Sequence, residues 1–203
     1  MGDTSFAELA HLGERLEATG KRKELAALLA DFLRDLVPEE VPPAVRMIIG
    51  QVFPEWDGRV LNLSWRAVEA VVDELTDASP FVREDIFNQA VDGGEIVCML
   101  LEQARQEPPG PPPLTVLEVF QIFEEIAATA GKGSRARKEA LLRETLARAT
   151  PAEAKHLVKV IYQEMRHGVN KGIMLDAIAQ AAGIKSRLVR QLYDQQFEYK
   201  GRL

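Results

Sequence analysis

Two stretches of this chain bring cations, glycines and a helix start together, which is the chemistry of phosphate binding. The first is Ala130-Gly-Lys-Gly-Ser134, followed by Arg135-Ala-Arg-Lys138. Gly131 and Gly133 let the backbone approach a ligand closely, and Ser134 can cap the helix that follows. The first turn of that helix leaves N–H groups without intrahelical partners. Lys132, Arg135, Arg137 and Lys138 would neutralise a phosphate, with Gly133 and Ser134 supplying backbone and hydroxyl contacts. This is not a nucleotide P-loop, because no Gly-Lys-Ser/Thr stands at Walker spacing and no strand precedes it. The competing reading is an ordinary serine cap after a glycine turn.

The second stretch is Glu164-Met-Arg-His-Gly-Val-Asn-Lys-Gly172. A helix is expected to deliver Arg166 to a glycine turn, with Gly168 as its C-cap and a new helix starting near Ile173. A narrow turn carrying Arg166, His167, Gly168 and Lys171 suits the minor groove of DNA. Gly58 and Arg59, in Phe53-Pro-Glu-Trp-Asp-Gly-Arg59, form its less basic counterpart. A rival lies at 175–192, where Ala179, Gly183 and Val189 have helix-turn-helix spacing before a basic helix containing Lys185, Arg187 and Arg190.

Catalytic chemistry finds little support. The histidines are His11, His156 and His167, and the chain contains no His-Glu-x-x-His, cysteine pair or nucleophile elbow. His156 and His167 are read as solvated surface residues rather than a metal pair, and no metal is expected. The carboxylates have basic neighbours at helical spacing, the pattern of solvated faces. Cys98, the single cysteine, lies within Ile96-Val-Cys-Met-Leu-Leu101 and reads as a buried structural thiol in a reducing compartment.

The formal net charge of -6 hides an asymmetry. Residues 131–203 carry 15 Lys/Arg against 7 Asp/Glu, and residues 1–130 carry 10 against 24. One end is basic and the other acidic, which points to a polyanion partner for one part only, or to a bipolar surface kept for solubility. No apolar run approaches the ~20 residues of a membrane-spanning helix.

The elements that must position these loops are helices. Phe6, Leu9, Leu12 and Leu16 recur at helical spacing, as do Leu25, Leu28, Leu29 and Phe32, then Val68, Val71 and Val72. Val116, Val119, Phe123 and Ile126 continue the pattern, followed by Leu157, Val158 and Ile161. Prolines 38, 42 and 43, and the stretch from Pro54 to Gly58, break it. Residues 107–113 form a proline-rich linker between a first repeat of about 5–106 and a second of about 114–184, with 185–203 as a C-terminal extension.

The two halves resemble each other in order. Residues 5–20 match 117–131, Arg22 matches Arg137, Pro38 matches Pro151, Ile48-Ile-Gly-Gln51 matches Val160-Ile-Tyr-Gln163, and Val68 matches Leu175. The expected fold is all-α, a compact multi-helix bundle with an internal pseudo-two-fold duplication.

In sequence, Gly131-Lys-Gly-Ser-Arg-Ala-Arg-Lys138, Pro151-Ala-Glu-Ala-Lys-His-Leu-Val158 and Met165-Arg-His-Gly168 resemble the N-terminal DNA-binding domain of ATP-dependent DNA ligases. Ile49-Gly-Gln-Val-Phe-Pro54 and Asp92-Gly-Gly-Glu-Ile-Val97 extend the similarity to the first half, over roughly residues 5–184. The resemblance implies non-sequence-specific binding of double-stranded or nicked DNA in repair and replication. It also implies adenylation and OB-fold domains as partners in cis or in trans, with ATP and Mg acting only there.

Three departures stand out. His167 replaces a usually aliphatic residue, residues 185–203 do not match the expected continuation, and the catalytic Lys-x-Asp-Gly is absent. Glu55-Trp-Asp-Gly58 is its nearest relic. The expectation is a DNA-binding chain without a catalytic centre or cofactor of its own, cytoplasmic and associated with the nucleoid. The alternatives are a helical protein-interaction adaptor and a helix-turn-helix regulator.

Overall fold

The computed structural model describes residues 4–54, 56–104 and 112–200, apart from the side chains of 196–200. Among them are eleven helices and no strand. Most helices begin where the sequence supplies an oxygen to their free N–H groups. α1 (Phe6–Glu17) opens with a Ser5/Glu8 capping box, and α9 (Pro151–Tyr162) opens with a Thr150/Glu153 box and a proline in its first turn. Ser64, Ser79, Thr115 and Asn170 cap α4 (Trp65–Thr76), α5 (Pro80–Gln89), α7 (Val116–Ala128) and α10 (Lys171–Ala181). The others are α2 (Arg22–Asp35), α3 (Val41–Ile48), α6 (Gly93–Ala104), α8 (Ser134–Arg148) and α11 (Ser186–Lys200).

Nearly all of the apolar sets predicted from periodicity are buried in one continuous core, with Leu28 and Phe32 half-buried against it. The two halves interlock: α2 packs on α10, α6 and α1 pack on α9, and α4 packs on α8. Their starts are also tied, since the Phe6 amide donates to the Leu114 carbonyl (2.8 Å) and the Val116 amide to the Thr4 carbonyl (3.0 Å). The extension is α11, laid on α10. Most of the expected proline linker, residues 107–111, lies outside the described residues, as does Glu55.

The central element is α9, buried from Glu153 to Ile161. Its neighbours come close because two of their residues are glycines. A Cβ on Gly13 of α1 would lie 2.1 Å from the His156 ring, and one on Gly94 of α6 would lie 2.7 Å from the Lys155 carbonyl. His156 is therefore fully buried, not solvated as its sequence context suggested. Its Nε2 meets Glu14 at 3.1 Å, and burial depresses its pKa.

The cations of α9 are neutralised inside the bundle. Lys155 pairs with Glu14 and Glu17 (both 2.8 Å), and Lys159 pairs with Glu17 (2.5 Å) and Asp92 (3.1 Å). Burial opposes the charge on Lys155, but its hydrogen bonds to Glu14 and Glu17 leave its pKa raised. These carboxylates are structural counterions, which corrects their reading as a solvated face. Cys98 is half-buried, and its thiol is pushed up to about 12, first by burial and then by Glu102.

Candidate nucleic-acid interface

The first candidate loop enters α8 through Gly131 (φ 80°) and Gly133 (φ 79°), left-handed positions that favour glycine. Gly133, not Ser134, occupies the cap position, and Ser134 is the first helical residue, its amide closing the turn on the Gly131 carbonyl (3.1 Å). Lys132 and Arg135 are exposed, and Arg135 has Glu139 one turn along at 2.7 Å. Arg137 folds back, donating to the carbonyls of Ala130 (2.9 Å) and Lys132 (3.3 Å), so it shapes the loop from within.

Lys138 departs from its expected place at a phosphate. Its side chain is buried, and its ammonium donates to the Leu61 carbonyl at 2.7 Å. Burial lowers its pKa. Lys138 thus holds the segment before α4 against α8. The starts of the two helices flank a cleft of ≈ 230 Å³ lined by Asn62, Ser64, Ser134 and Arg135.

The second candidate turn is built differently from its sequence reading. α9 ends at Tyr162 and is capped by Gln163 (φ 59°), with the Glu164 amide returning to the Lys159 carbonyl (2.9 Å). Gly168 (φ 71°) belongs to a separate turn. Arg166 itself has φ 51°, a left-handed position that costs energy for a residue with a Cβ.

Three anchors hold that turn. Met165 is buried against Gly50. His167 is also buried: its Nε2 donates to the Ile48 carbonyl (2.8 Å) and its Nδ1 accepts from the Val169 amide (3.2 Å). These two bonds describe a neutral imidazole, and burial lowers its pKa accordingly. Asp92 stands 3.8 Å from Arg166 Nε. His167 is therefore a strut between the two halves, corrected from its place as an exposed contact. The Arg166 side chain stays 52% exposed.

Next to this turn, α10 starts at Lys171, whose ammonium lies 3.8 Å from the centre of the Tyr193 ring. The start of α2 lies alongside: Arg22 pairs with Asp176 (2.7 Å) and reaches Gly172. The starts of α2 and α10 thus lie side by side, as do those of α8 and α4. Sequence reasoning matched Arg22 to Arg137 but did not nominate Lys21 or Arg22. Gly58 (φ 69°) is exposed, while Arg59 is engaged by Asp57 through two 2.7 Å contacts, by Glu124 (3.3 Å) and by the Phe53 ring.

The rival motif at 175–192 does form two helices around Gly183. Yet Arg190 is turned onto Asp176 (2.7 Å) and the Gly172 carbonyl (3.0 Å). Ile184, Leu188 and Leu192 are exposed as an apolar stripe, unsuited to reading the donor and acceptor pattern of base edges. Among the described residues, no group of three His, Cys, Asp or Glu could hold a metal ion. None of the described helices is long and apolar enough to cross a membrane.

The site thus lies on an all-helical bundle, where exposed cations stand on loops that lead into helix starts. The sequence model of the family described as DNA ligase N terminus matches residues 5–179, and the chain belongs to that family. It is 38% identical over 186 residues to DNA ligase 1 of Korarchaeum cryptofilum, covering 91% of this chain and 33% of that protein. It is 34% identical to the DNA ligase of Thermococcus onnurineus (95% and 34% covered) and 35% identical to that of Methanopyrus kandleri (93% and 34% covered). The chain spans about a third of the length of these relatives.

Proposed function

We propose that this chain grips duplex DNA by its backbone, without sequence preference, in the service of nick sealing. The observation that carries the reading is two adjoining pairs of helix starts, α8 beside α4 across a cleft and α2 beside α10, with Gly131-Lys-Gly133 leading into α8 and Gly20-Lys21 into α2. Helix-start N–H groups and exposed cations in that arrangement suit phosphates, and the exposed Arg166 suits a minor-groove edge. Lys132, Gly133, Ser134, Arg135, Arg166, Gly168 and Lys171 form the proposed contact set. Lys138 and His167 support it from inside, and the exposed Arg137 closes its loop onto the Ala130 and Lys132 carbonyls.

An internal duplication fits the same picture. The contact of α2 with α10 is answered by that of α8 with α4, and the contact of α1 with α9 by that of α7 with α3. α3 and α9 end alike, with left-handed residues at Gly50 and Gln163 and 2.9 Å bonds from Gln51 to Arg46 and from Glu164 to Lys159. A pseudo-two-fold body can offer similar clamps to the two antiparallel strands. The adenylation and OB-fold domains implied by the ligase resemblance, with ATP and Mg, would supply the chemistry.

Fluorescence anisotropy with nicked duplex at two salt concentrations tests the reading. Binding through several phosphates must weaken steeply with salt, by a log–log slope of about 0.9 per phosphate. Arg166→Ala should weaken binding to two unrelated duplexes equally, by about 1 kcal/mol or more. No binding at low salt refutes the proposal. Loss on one sequence only, caused by Arg187→Ala, would favour a regulator instead.

A further inference from the structure

Arg166 is a long, half-exposed side chain on a turn whose backbone is already in a left-handed conformation. Left to itself, such a side chain samples many rotamers, and freezing it on a ligand costs entropy. The structure places a fixed anion behind it. Asp92 stands at the cap of α6, where one carboxylate oxygen accepts from the Glu95 amide (3.0 Å) and its own carbonyl accepts from Ile96 (3.1 Å). Its other oxygen meets Lys159 at 3.1 Å and Arg166 Nε at 3.8 Å. The Asp92 side chain is only 3% exposed.

Lys159 is held in turn by Glu17 at 2.5 Å. A line of alternating charges, Glu17, Lys159, Asp92 and Arg166, therefore runs from α1 through the bundle to the turn. It comes within 3.8 Å of Arg166 Nε, the inner edge of the guanidinium, an ion-pair distance longer than a hydrogen bond. The N–H bonds of the two terminal nitrogens form the fork that pairs with phosphate or base-edge oxygens.

We infer that Asp92 is the positioning residue for Arg166, holding its guanidinium by the inner edge so that the outer fork is presented to DNA before binding. The inference rests on Arg166 being a DNA contact, as proposed above. Asp92 touches no DNA in this arrangement and acts only through its neighbour. Gly93 and Gly94 bring it there: a Cβ on Gly93 would lie 2.8 Å from the Trp65 ring, and one on Gly94 would strike the α9 backbone, so α6 can start this deep only with glycines at both positions.

The test is a double-mutant cycle on nicked-duplex affinity, using Asp92→Asn, Arg166→Ala and the double variant, with a thermal melt of each. Asparagine keeps the cap to Glu95 and the shape but removes the charge. We expect Arg166→Ala to weaken binding about fivefold or more. Asp92→Asn should weaken it about threefold when Arg166 is present and have no effect when it is absent. Equal losses from Asp92→Asn in both backgrounds would overturn the inference while leaving the DNA-binding reading standing. A silent Arg166→Ala would overturn the inference together with the Arg166 contact, whereas no binding by any form at low salt would overturn the DNA-binding reading itself. Arg166→Lys, at an exposed position safe for folding, gives a second arm. Lysine has no inner N–H to hold and no outer fork to present, so it should lose as much as alanine. Full affinity of Arg166→Lys would refute the positioning role even if Asp92→Asn melts at low temperature.

Discussion

Lys138→Met separates a structural lysine from a phosphate contact. Methionine keeps the length and apolar packing of the side chain and removes its ammonium. In the folded protein that ammonium donates to the Leu61 carbonyl at 2.7 Å in a buried setting, so the substitution deletes one charge-assisted hydrogen bond and leaves a carbonyl unpartnered. Bonds to charged groups contribute about 1.5–3 kcal/mol, and burial of the ammonium, which lowers its pKa, offsets part of this. A net loss of about 2 kcal/mol follows, equivalent to a fall in melting temperature of roughly 4–8 °C for a chain of this size. DNA affinity, measured well below the melting range, should stay within about twofold, with an unchanged salt slope. The reasoning fails if the melting temperature holds while the slope drops by about one, the signature of a lost phosphate contact.

Two further perturbations probe the bundle. Gly13→Ala sets a methyl 2.1 Å from the His156 ring, and should destabilise by about 1–3 kcal/mol despite alanine's better helix propensity. Adding His156→Ala should recover part of that loss, whereas a neutral Gly13→Ala would show that α1 and α9 are not in tight contact. His156 and His167 both have pKa values lowered from 6.5, so the unfolded chain takes up protons first. Their contribution is complete above about pH 6.5 and is lost as pH falls through that value toward their folded pKa values. The urea midpoint should therefore drop between about pH 7.5 and about pH 5.5, and a flat profile would contradict the burial of both rings.

Much of the helical layout was legible because its cause is local. Leu9, Leu12 and Leu16 repeat at the helical period, and Ser5 with Glu8, or Thr150 with Glu153, announces a helix start within four residues. The same locality made the Gly131–Ser134 loop readable. What escaped depends on residues far apart in the chain. Nothing near His156 says that Gly13 will open a slot for it, and nothing near Lys138 says that the Leu61 carbonyl will need a donor. The end of α9 was misread for a related reason. Glycine was the expected left-handed cap, so Gly168 drew the assignment, but Gln163 took the cap and Arg166 a second left-handed position, both fixed by packing of the two halves.

The charge asymmetry needs the same separation of local from distant causes. Read as a sequence, the basic end promises a broad cationic surface. In the fold, much of that charge meets the acidic end: Arg143 pairs with Glu74 (2.5 Å), Arg148 with Glu118 (2.5 Å), and Lys155 and Lys159 with Glu14, Glu17 and Asp92. Except for Arg148–Glu118, which lies within the second half, those pairs join the two halves, and all of them compete with a polyanion. The exposed cations that remain at the loops, Lys132, Arg135 and Arg166 among them, are few and sit at helix starts or on a braced turn. A small number of phosphate contacts implies a shallower salt dependence than the composition suggests, since each contributes a slope of only about 0.9. The same small number makes placement matter more than total charge. An overall charge of -6 is therefore compatible with a DNA grip, because the acidic groups named here are already paired with cations of the same chain.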